Sequence, residues 1–506
     1  MRFAMMTATV PTPFCQNTAS HEPCASSQSK RRAPRSRLWR VVCLAGVLAG
    51  CAVGPDYQRP EVTLPATFKQ MDGWTQVRPA EPMNDDRWWT RYQDSTLDAL
   101  VAQVDTANQN LAQAEARYRQ ALTFIASARS ERFPTISGQA SAARSGSGSG
   151  ATSTIGERYN ANVGISWMPD LWGRVRRNEQ ASQAEAQASA ADLAGVRLAA
   201  QSALAQAYFR IRIIDRQQDL LNVTMQAYER SLTLTRNQYE AGMAARSDVV
   251  LAETQLAQVR VQHQDLDWQR AQQENAIAVL VGKTPSELSL AHSTDIPHLP
   301  PLPELVPATL LQRRPDIVSA ERAMAAANER IGVAEAAWFP DLTLSASGGF
   351  QSGSFADWLT APYRVWSLGP ALAATIFDGG ARSAAVDRAE AAYDEQVARY
   401  RQTVLDAMRE VEDALALLRV LEAEVEQQRQ VVALAEENQR LVSNRYQAGI
   451  VTYLEVAVAQ NTTLNARRTL LGVEGSRLDA SVQLLGALGG GWDGDVQPAP
   501  QSNDEQ

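Results

Sequence analysis

The sequence predicts a mostly α-helical protein that also carries strands of a membrane β-barrel. Three observations predict this fold class. Two stretches of 67 residues, 173–239 and 380–446, contain no proline, four shorter segments alternate polar and apolar residues, and the chain is internally duplicated. The chain has 506 residues, 45% of them apolar and 21% charged, and it lacks a run of about 18 apolar residues that would form a membrane-spanning helix. A barrel is compatible with that composition because its strands alternate.

Each proline-free stretch is predicted to form one long helix. Both are rich in alanine, glutamine, glutamate, arginine and leucine, which are good helix formers. A helix of 67 residues rises about 100 Å, more than a compact domain can hold, so each is predicted to be a coiled-coil shaft. A Tyr-x-x-Gly turn then reverses the chain, and a second helix returns over about 248–281 and 455–485.

The alternating segments are predicted to be strands long enough to cross a bilayer. They lie at about 134–144, 157–168, 340–351 and 366–377. The fourth contains Pro370, a residue that is unfavourable inside a sheet. Four strands cannot close a barrel, and open edges are not stable in lipid, so a symmetric trimer with twelve strands is predicted. The alternative is a periplasmic β-sandwich with one solvated face.

The first 50 residues are predicted to be a signal peptide. Five arginines between positions 31 and 40 precede the apolar run 41–50, which ends Leu48-Ala49-Gly50-Cys51. This ending is typical of the bacterial lipobox, where cleavage exposes a cysteine that carries lipid. All four cysteines lie in the first 51 residues, so Cys51 is the only thiol after cleavage. We predict diacylglycerol and N-acyl lipid on Cys51 and no other cofactor; the alternative is ordinary cleavage beside an incidental cysteine.

Cleavage makes the chain more acidic. The full chain has 48 basic and 56 acidic residues. The leader contains seven of the basic residues and one of the acidic ones, so the mature chain keeps 41 basic and 55 acidic residues and a net charge of -14. Such a surface argues against nucleic acid as a partner. Ala52 follows the cysteine, where an aspartate would favour retention in the inner membrane. We therefore predict an outer membrane lipoprotein.

The mature chain consists of two copies of one unit. Tyr239-Glu240-Ala241-Gly242 recurs as Tyr446-Gln447-Ala448-Gly449, and Phe133-Pro134 recurs as Phe339-Pro340 at a similar offset. The predicted divisions are a lipidated N-terminal segment with an equatorial region (51–96), a first repeat (97–283), a proline-rich linker (284–303), a second repeat (304–490) and a C-terminal tail (491–506).

Several motifs, in order, resemble one known family. They are Cys51 followed by Gly54-Pro55-Asp56-Tyr57, Trp88-Trp89, Asp170 to Arg177, Arg314-Pro315-Asp316-Ile317, Ala337 to Pro340, Ile376 to Gly380, and Leu488 to Trp492. The chain resembles the TolC-like outer membrane efflux proteins, specifically the NodT-type lipoproteins that serve RND tripartite pumps. The resemblance implies a homotrimeric channel-tunnel, with a twelve-stranded outer membrane barrel above a periplasmic α-helical barrel. It also implies that a periplasmic adaptor (membrane fusion protein) and an inner membrane RND-type pump bind the channel and drive export.

The two Tyr-x-x-Gly turns are candidate functional sites. Gly242 and Gly449 permit a left-handed backbone where the chain reverses, and Tyr239 and Tyr446 precede them. The alternative is that the two turns are ordinary helix C-caps, which need a glycine at the same position. The resemblance implies that these turns form the periplasmic tips and contact the adaptor.

Three charged residues near the turns are candidates for a gate. Asp248 and Glu455 begin the returning helices, where a carboxylate also interacts favourably with the helix dipole. Copies of Glu455 in a trimer would form an acidic ring that selects cations. Arg445 and Tyr446 precede the second turn and are predicted to bond Asp248 or Glu455 across helices, which would hold the mouth shut.

The predicted function is passive export of drugs or other small molecules through a channel. A non-channel coiled-coil scaffold is one alternative, and a channel for metal ions or secreted protein is another. Catalysis is not predicted, since only three histidines follow the leader and no metal-ligand spacing or nucleophile motif is present. Gly282-Lys283-Thr284 is similar to the end of a phosphate-binding loop, but the glycine that begins such a loop is missing. The segment also follows a predicted helix, whereas a phosphate-binding loop precedes one.

Overall fold

The computed structural model describes residues 53–60, 69, 87–148, 154–300 and 313–496. The predicted signal peptide, Cys51, and parts of the predicted N-terminal segment, linker and tail lie outside the described residues. No helix within these ranges has the length and apolar character needed to span a membrane.

The described chain folds into seven helices and four strands. In chain order they are α1 (Ser95–Ala107), α2 (Gln109–Ser130), β1 (Thr135–Ser147), β2 (Thr154–Trp167), α3 (Arg174–Glu240), α4 (Arg246–Leu280), α5 (Pro315–Ala336), β3 (Asp341–Ser352), β4 (Arg364–Ala373), α6 (Ala381–Gln447) and α7 (Tyr453–Ala487). Short 3₁₀ turns lie at Trp88–Tyr92, Pro285–Glu287 and Ala361–Tyr363. The predicted mostly helical fold with an internal repeat is confirmed.

The long helices of the two repeats have equal lengths. Helices α3 and α6 have 67 residues each, and helices α4 and α7 have 35 each. Gly173 and Gly380 precede the long helices with φ of 83° and 94°, values that a residue with a Cβ rarely adopts. The repeats therefore begin and end their helices at corresponding positions.

The helix-forming stretch before β1 is divided at Asn108. Asn108 leaves the helical region with ψ of 123°, and its Oδ1 accepts a hydrogen bond from the Leu111 backbone N–H at 3.0 Å. Its Nδ2 donates to the carbonyl oxygen of Leu280 at 2.8 Å. Asn108 thus ends α1, caps α2 and fixes both to the end of α4.

The four strands form one antiparallel sheet in the order β1-β2-β3-β4. The fourth strand was predicted over 366–377, but it ends at Ala373, and that prediction was wrong at its C-terminal end. Ala373 pairs with Asp341, the first residue of β3. The residue before Asp341 is Pro340, which has no N–H with which to extend the ladder. Pro370 lies within β4 opposite Leu344, so this strand includes the proline that the sequence analysis marked as unfavourable.

Much of this sheet, its two outer strands above all, is left uncovered by the described part of the chain. All residues of β1 are exposed, and so are nearly all residues of β4. Large apolar side chains stand exposed at alternate positions of β4, among them Trp366, Leu368 and Leu372. An exposed apolar surface of this kind requires lipid or another chain against it.

The buried residues of the helical part form three main clusters. One lies among α1, α3 and α7 and contains Trp88, Tyr92, Tyr208 and Phe209. A second lies among α5, α6 and α7, and a third among α3, α4 and α7 near the Tyr-x-x-Gly turns. Helix α3 packs against α2, α4, α5 and α7, so it is the common element of the helical part.

Candidate functional site: the helix tips

The two Tyr-x-x-Gly turns have the same backbone geometry. Gly242 and Gly449 have φ of 73° and 72°. In the first turn the Gly242 N–H donates to the Tyr239 carbonyl at 2.9 Å, and the Met243 N–H donates to the Gln238 carbonyl at 2.7 Å. The second turn repeats both bonds, each at 2.9 Å, as expected for a Schellman C-cap. Because an added Cβ at either glycine would meet no atom within 4 Å, the left-handed backbone alone requires glycine here.

The two tyrosines before these glycines have different surroundings. Tyr446 is buried, and its hydroxyl lies 3.1 Å from Thr235 Oγ1 and donates to Gln238 Oε1 at 2.5 Å. Its ring packs against Tyr453 with centroids 5.7 Å apart. Burial raises the pKa of the Tyr446 hydroxyl, and the nearby Asp248 carboxylate raises it further. Tyr446 therefore joins α6 to α3 as a neutral hydrogen-bonding group.

Tyr239 is instead largely exposed. Its only described partner is Arg246, whose guanidinium carbon lies 6.0 Å from the ring centroid. Arg246 occupies the same place in the first repeat that Tyr453 occupies in the second. The tips of the two repeats thus share a backbone but not a side-chain environment.

The three gate candidates lie close to the turns but do not bond one another. Asp248 and Glu455 lie in the first turns of α4 and α7, as predicted. Arg445 lies in the last turn of α6, and it and Glu455 are exposed. Among the described residues, none of the three forms a hydrogen bond or ion pair with another. Within the chain Tyr446 bonds residues of α3, and the bonds from Arg445 and Tyr446 to Asp248 or Glu455 across helices stay a prediction.

A buried ion cluster lies at the other end of α3 and was not predicted from the sequence. Residues 53–60, here called the N-terminal strap, lie against α3 and α5. Arg177 Nη1 donates to Glu329 Oε2 at 2.7 Å, and Nη2 donates to the Gly54 carbonyl at 3.0 Å and to Asp56 at 3.1 Å. A Cβ at Gly54 would lie 2.4 Å from Gly332 Cα, so the strap contacts the α5 backbone directly. The motif that contains Arg177 signals the family, but nothing in the sequence identified its partners.

A second unpredicted cluster fixes part of the linker to the helices. Asp215 is fully buried, and its carboxylate accepts from Arg270 Nε at 2.7 Å and from the Ser293 backbone N–H at 3.1 Å. Arg270 also donates to the Leu290 carbonyl at 2.8 Å, and Arg212 donates to the Ala291 carbonyl at 3.1 Å. The linker segment at 290–293 is therefore held against α3 and α4.

The two repeats match the family model described as "Outer membrane efflux protein", over residues 100–283 and 306–490. The chain belongs to the outer membrane efflux protein family. It is 31% identical over 463 residues to the probable efflux pump outer membrane protein TtgC of Pseudomonas putida. That alignment covers 90% of this chain and 96% of TtgC. It is 29% identical over 455 residues to the cation efflux system protein CusC of Escherichia coli, with coverage of 89% and 98%.

The fold agrees with solved structures of this family. The outer-membrane channel OprN superposes with a TM-score of 0.81 at 30% sequence identity, over 87% of this chain and 100% of that one. This outer membrane efflux protein is accordingly the outer membrane channel of a tripartite efflux pump, and it extends from the membrane into the periplasm. The family is one of transport proteins, and the predicted channel function and outer membrane location are confirmed.

Proposed function

We propose that three copies of this chain assemble into one passive export channel without a reaction of its own. The observation that carries the proposal is the open four-stranded sheet. Its edge strands β1 and β4 have one unpaired edge each, and its alternate apolar side chains have no cover in the described chain. Pairing β4 of one copy with β1 of the next satisfies both edges and closes a barrel of twelve strands around a polar lumen.

The helix tips are proposed to bind the adaptor and to form the periplasmic mouth. The residues at the turns are Tyr239, Gly242, Tyr446 and Gly449, and the apolar side chains after the glycines, Met243 and Ile450, are strongly exposed. An exposed apolar residue at each tip is a suitable anchor for a helical hairpin of an adaptor. The pump that supplies the energy is proposed to be of the RND type.

The cargo is proposed to be small organic molecules. Relatives of equal identity, 31% over 463 residues, are called an antibiotic efflux pump protein and a toluene efflux pump protein. Export of cations is the second candidate, because the chain is also similar to CusC.

The mouth is proposed to prefer cations because of Glu455. Its carboxylate is exposed beside the turn, and three copies around the axis would form an acidic ring. In planar bilayers with a salt gradient, the purified protein should give discrete conductance steps and a cation-selective reversal potential. Glu455→Gln should retain the steps and move the reversal potential toward zero. Glu437→Gln is the matched control, because Glu437 is exposed on α6 and paired with Arg440 at 2.7 Å.

Two results would contradict this proposal. Folded protein that gives no conductance steps would favour the scaffold alternative. An unchanged reversal potential for Glu455→Gln would exclude the acidic ring while leaving the channel intact.

Cys51 is proposed to carry the lipid anchor. The sequence Leu48-Ala49-Gly50-Cys51 supports cleavage and acylation there. Cells grown with an alkyne-tagged palmitate should label the wild-type protein and Cys43→Ser, whose altered residue lies in the discarded leader. Cys51→Ser should lose the label and accumulate as the longer precursor. Retained label in Cys51→Ser would place the lipid elsewhere.

A further inference from the structure

An open groove runs along α5 between α3 and α6. Its volume is 670 Å³, within the roughly 300–1,000 Å³ that is typical of small-molecule sites. Helix α5 forms the floor from Ala323 to Ala334, and α3 and α6 form the two walls. Eight of the fifteen lining residues are alanines, whose short side chains leave space between the helices. The groove therefore offers an apolar surface of the size that one organic molecule needs.

Charged side chains stand on both walls of this groove. Arg330 on the floor bonds Glu185 on α3, so these two charges satisfy each other. Asp192 on α3 and Arg388 on α6 also line the groove, and both are exposed. Neither of these two side chains has a hydrogen-bond or ion-pair partner among the residues that the structure describes. One acidic and one basic group thus stand without an internal partner on opposite walls of an apolar floor.

The groove lies on the side of α5 opposite the N-terminal strap. The strap contacts α5 at Glu321, to which the Tyr57 hydroxyl donates at 2.5 Å, and at Asn328, whose amide donates to a strap carbonyl at 3.0 Å. At about 100° per residue, Glu321 and Asn328 lie within about 20° of each other around the helix. The groove residues Ala323 and Arg330 lie about 140–180° away from them. The strap and the groove therefore occupy opposite faces of the same helical wall.

The strap indicates which of these faces points outward. It begins two positions after Cys51, the proposed lipid anchor. An acyl chain has to reach the membrane around the channel, so the strap belongs on the outer side of the helical wall. The opposite face of α5, and the groove with it, then lines the interior.

We propose that this groove faces the lumen and binds a zwitterionic organic molecule with an apolar body. The ammonium group of the molecule faces Asp192 and its carboxylate faces Arg388, so that both wall charges gain a partner. The apolar body covers the alanines of the floor and displaces water from them. This inference rests on the proposed function, and it names a chemical class of cargo that the channel would hold in transit.

The two free wall charges favour a zwitterion over an ion of either sign. An anion would pair with Arg388 but place its charge opposite an unpaired Asp192, and a cation would do the reverse. An exposed ion pair changes an affinity by up to about fivefold. Preference for a zwitterion over singly charged molecules of the same shape is therefore the result that identifies this site.

Three biphenyls of one shape test this preference. The first carries a carboxylate on one ring and an aminomethyl group on the other, both para, and each of the other two carries only one of these groups. Such a molecule is about 10 Å long and suits walls whose helix axes are about 16–20 Å apart with side chains between them. Equilibrium dialysis against the full-length lipidated protein in nanodiscs, corrected with protein-free nanodiscs, measures binding. The zwitterion should bind about two- to fivefold more tightly than either analogue.

Variants of the wall charges should each affect one end of the probe. Arg388→Gln should weaken the zwitterion and the carboxylate probe by about two- to fivefold and should not weaken the aminomethyl probe. Asp192→Asn should weaken the zwitterion and the aminomethyl probe only. Arg401→Gln is the matched control, because Arg401 is exposed on α6 outside the groove. Ala389→Phe should weaken all three probes by filling the groove, and circular dichroism checks that this variant is folded.

Thiol modification tests the lumenal position of the groove. The mature chain has no thiol besides Cys51, so a single added cysteine can be modified with a bulky charged methanethiosulfonate. Ala392 lies on the groove wall and Asp56 on the strap, and both are exposed. Modification of Ala392→Cys should lower the single-channel conductance, whereas modification of Asp56→Cys should leave it unchanged.

The outcomes separate the inference from the proposed function. Equal affinities for the three biphenyls, or equal effects of Arg388→Gln and Arg401→Gln, would overturn the zwitterion site and leave the channel. Unchanged conductance after modification of Ala392→Cys would overturn the lumenal position. Folded protein that binds the zwitterion but gives no conductance steps would contradict the proposed channel and support the binding site.

Discussion

Arg177→Met is expected to lower the free energy of unfolding by about 3–5 kcal/mol, the usual cost of removing one partner of a buried ion pair. The Arg177 side chain is 5% exposed and that of Glu329 is 11% exposed, so methionine would leave the Glu329 carboxylate without its cation in a nearly dry site. The strap would also lose its bonds at the Val53 and Gly54 carbonyls. The Asp56 contact contributes little, because that carboxylate is solvent-exposed.

Urea unfolding of the detergent-extracted protein, followed by far-ultraviolet circular dichroism, measures this loss. Arg176→Met is the matched control, because Arg176 is the neighbouring arginine on α3 and is exposed. Its free energy of unfolding should change by less than about 0.5 kcal/mol. Equal changes in the two variants would show that Arg177 contributes through helix propensity and not through the strap.

Asp215→Ala is expected to have an effect of similar size, about 3–5 kcal/mol. Asp215 is fully buried, and its carboxylate accepts a hydrogen bond from Arg270 at 2.7 Å. The Arg212 guanidinium lies 3.5 Å from the same carboxylate. Alanine would leave two arginines without their shared carboxylate, and the Ser293 backbone N–H would lose its acceptor. The linker segment at 290–293 should then exchange its backbone protons faster.

Hydrogen exchange detected by mass spectrometry distinguishes this local effect from general destabilisation. In Asp215→Ala, protection should fall in the peptide that covers 288–296 under conditions where α6 remains protected. Asp192→Ala on the exposed face of the same helix should change neither stability nor exchange. Unchanged protection of the linker in Asp215→Ala would contradict the role assigned to this carboxylate.

The two clusters act on different parts of the channel. Arg177 holds the strap where α3 begins, close to the end of β2, and Asp215 holds the linker farther along the same helix. Both therefore fix connections that precede or separate the repeats. The tips, in contrast, are joined within the chain by neutral hydrogen bonds of Tyr446 and have exposed charges at Arg445 and Glu455.

The sequence by itself determined the elements and their repetition. Proline-free helix formers specify long helices, and alternation specifies strands, because both signals depend on neighbours only a few residues apart. The duplication predicted the equal helices of the two repeats, and the glycines at 242 and 449 predicted the reversals. The end of β4 was not predicted, because it depends on pairing with β3, which begins directly after Pro340.

Only the tertiary structure decided which side chains meet. Arg177 and Glu329 are 152 positions apart, and Tyr446 and Gln238 are 208 apart, so no local pattern connects them. Tyr239 and Tyr446 stand in the same motif, yet one is exposed and the other buried. The difference arises because α3 of the same chain covers only the second, and packing between distant helices is set by the whole fold and not by the residues of the motif.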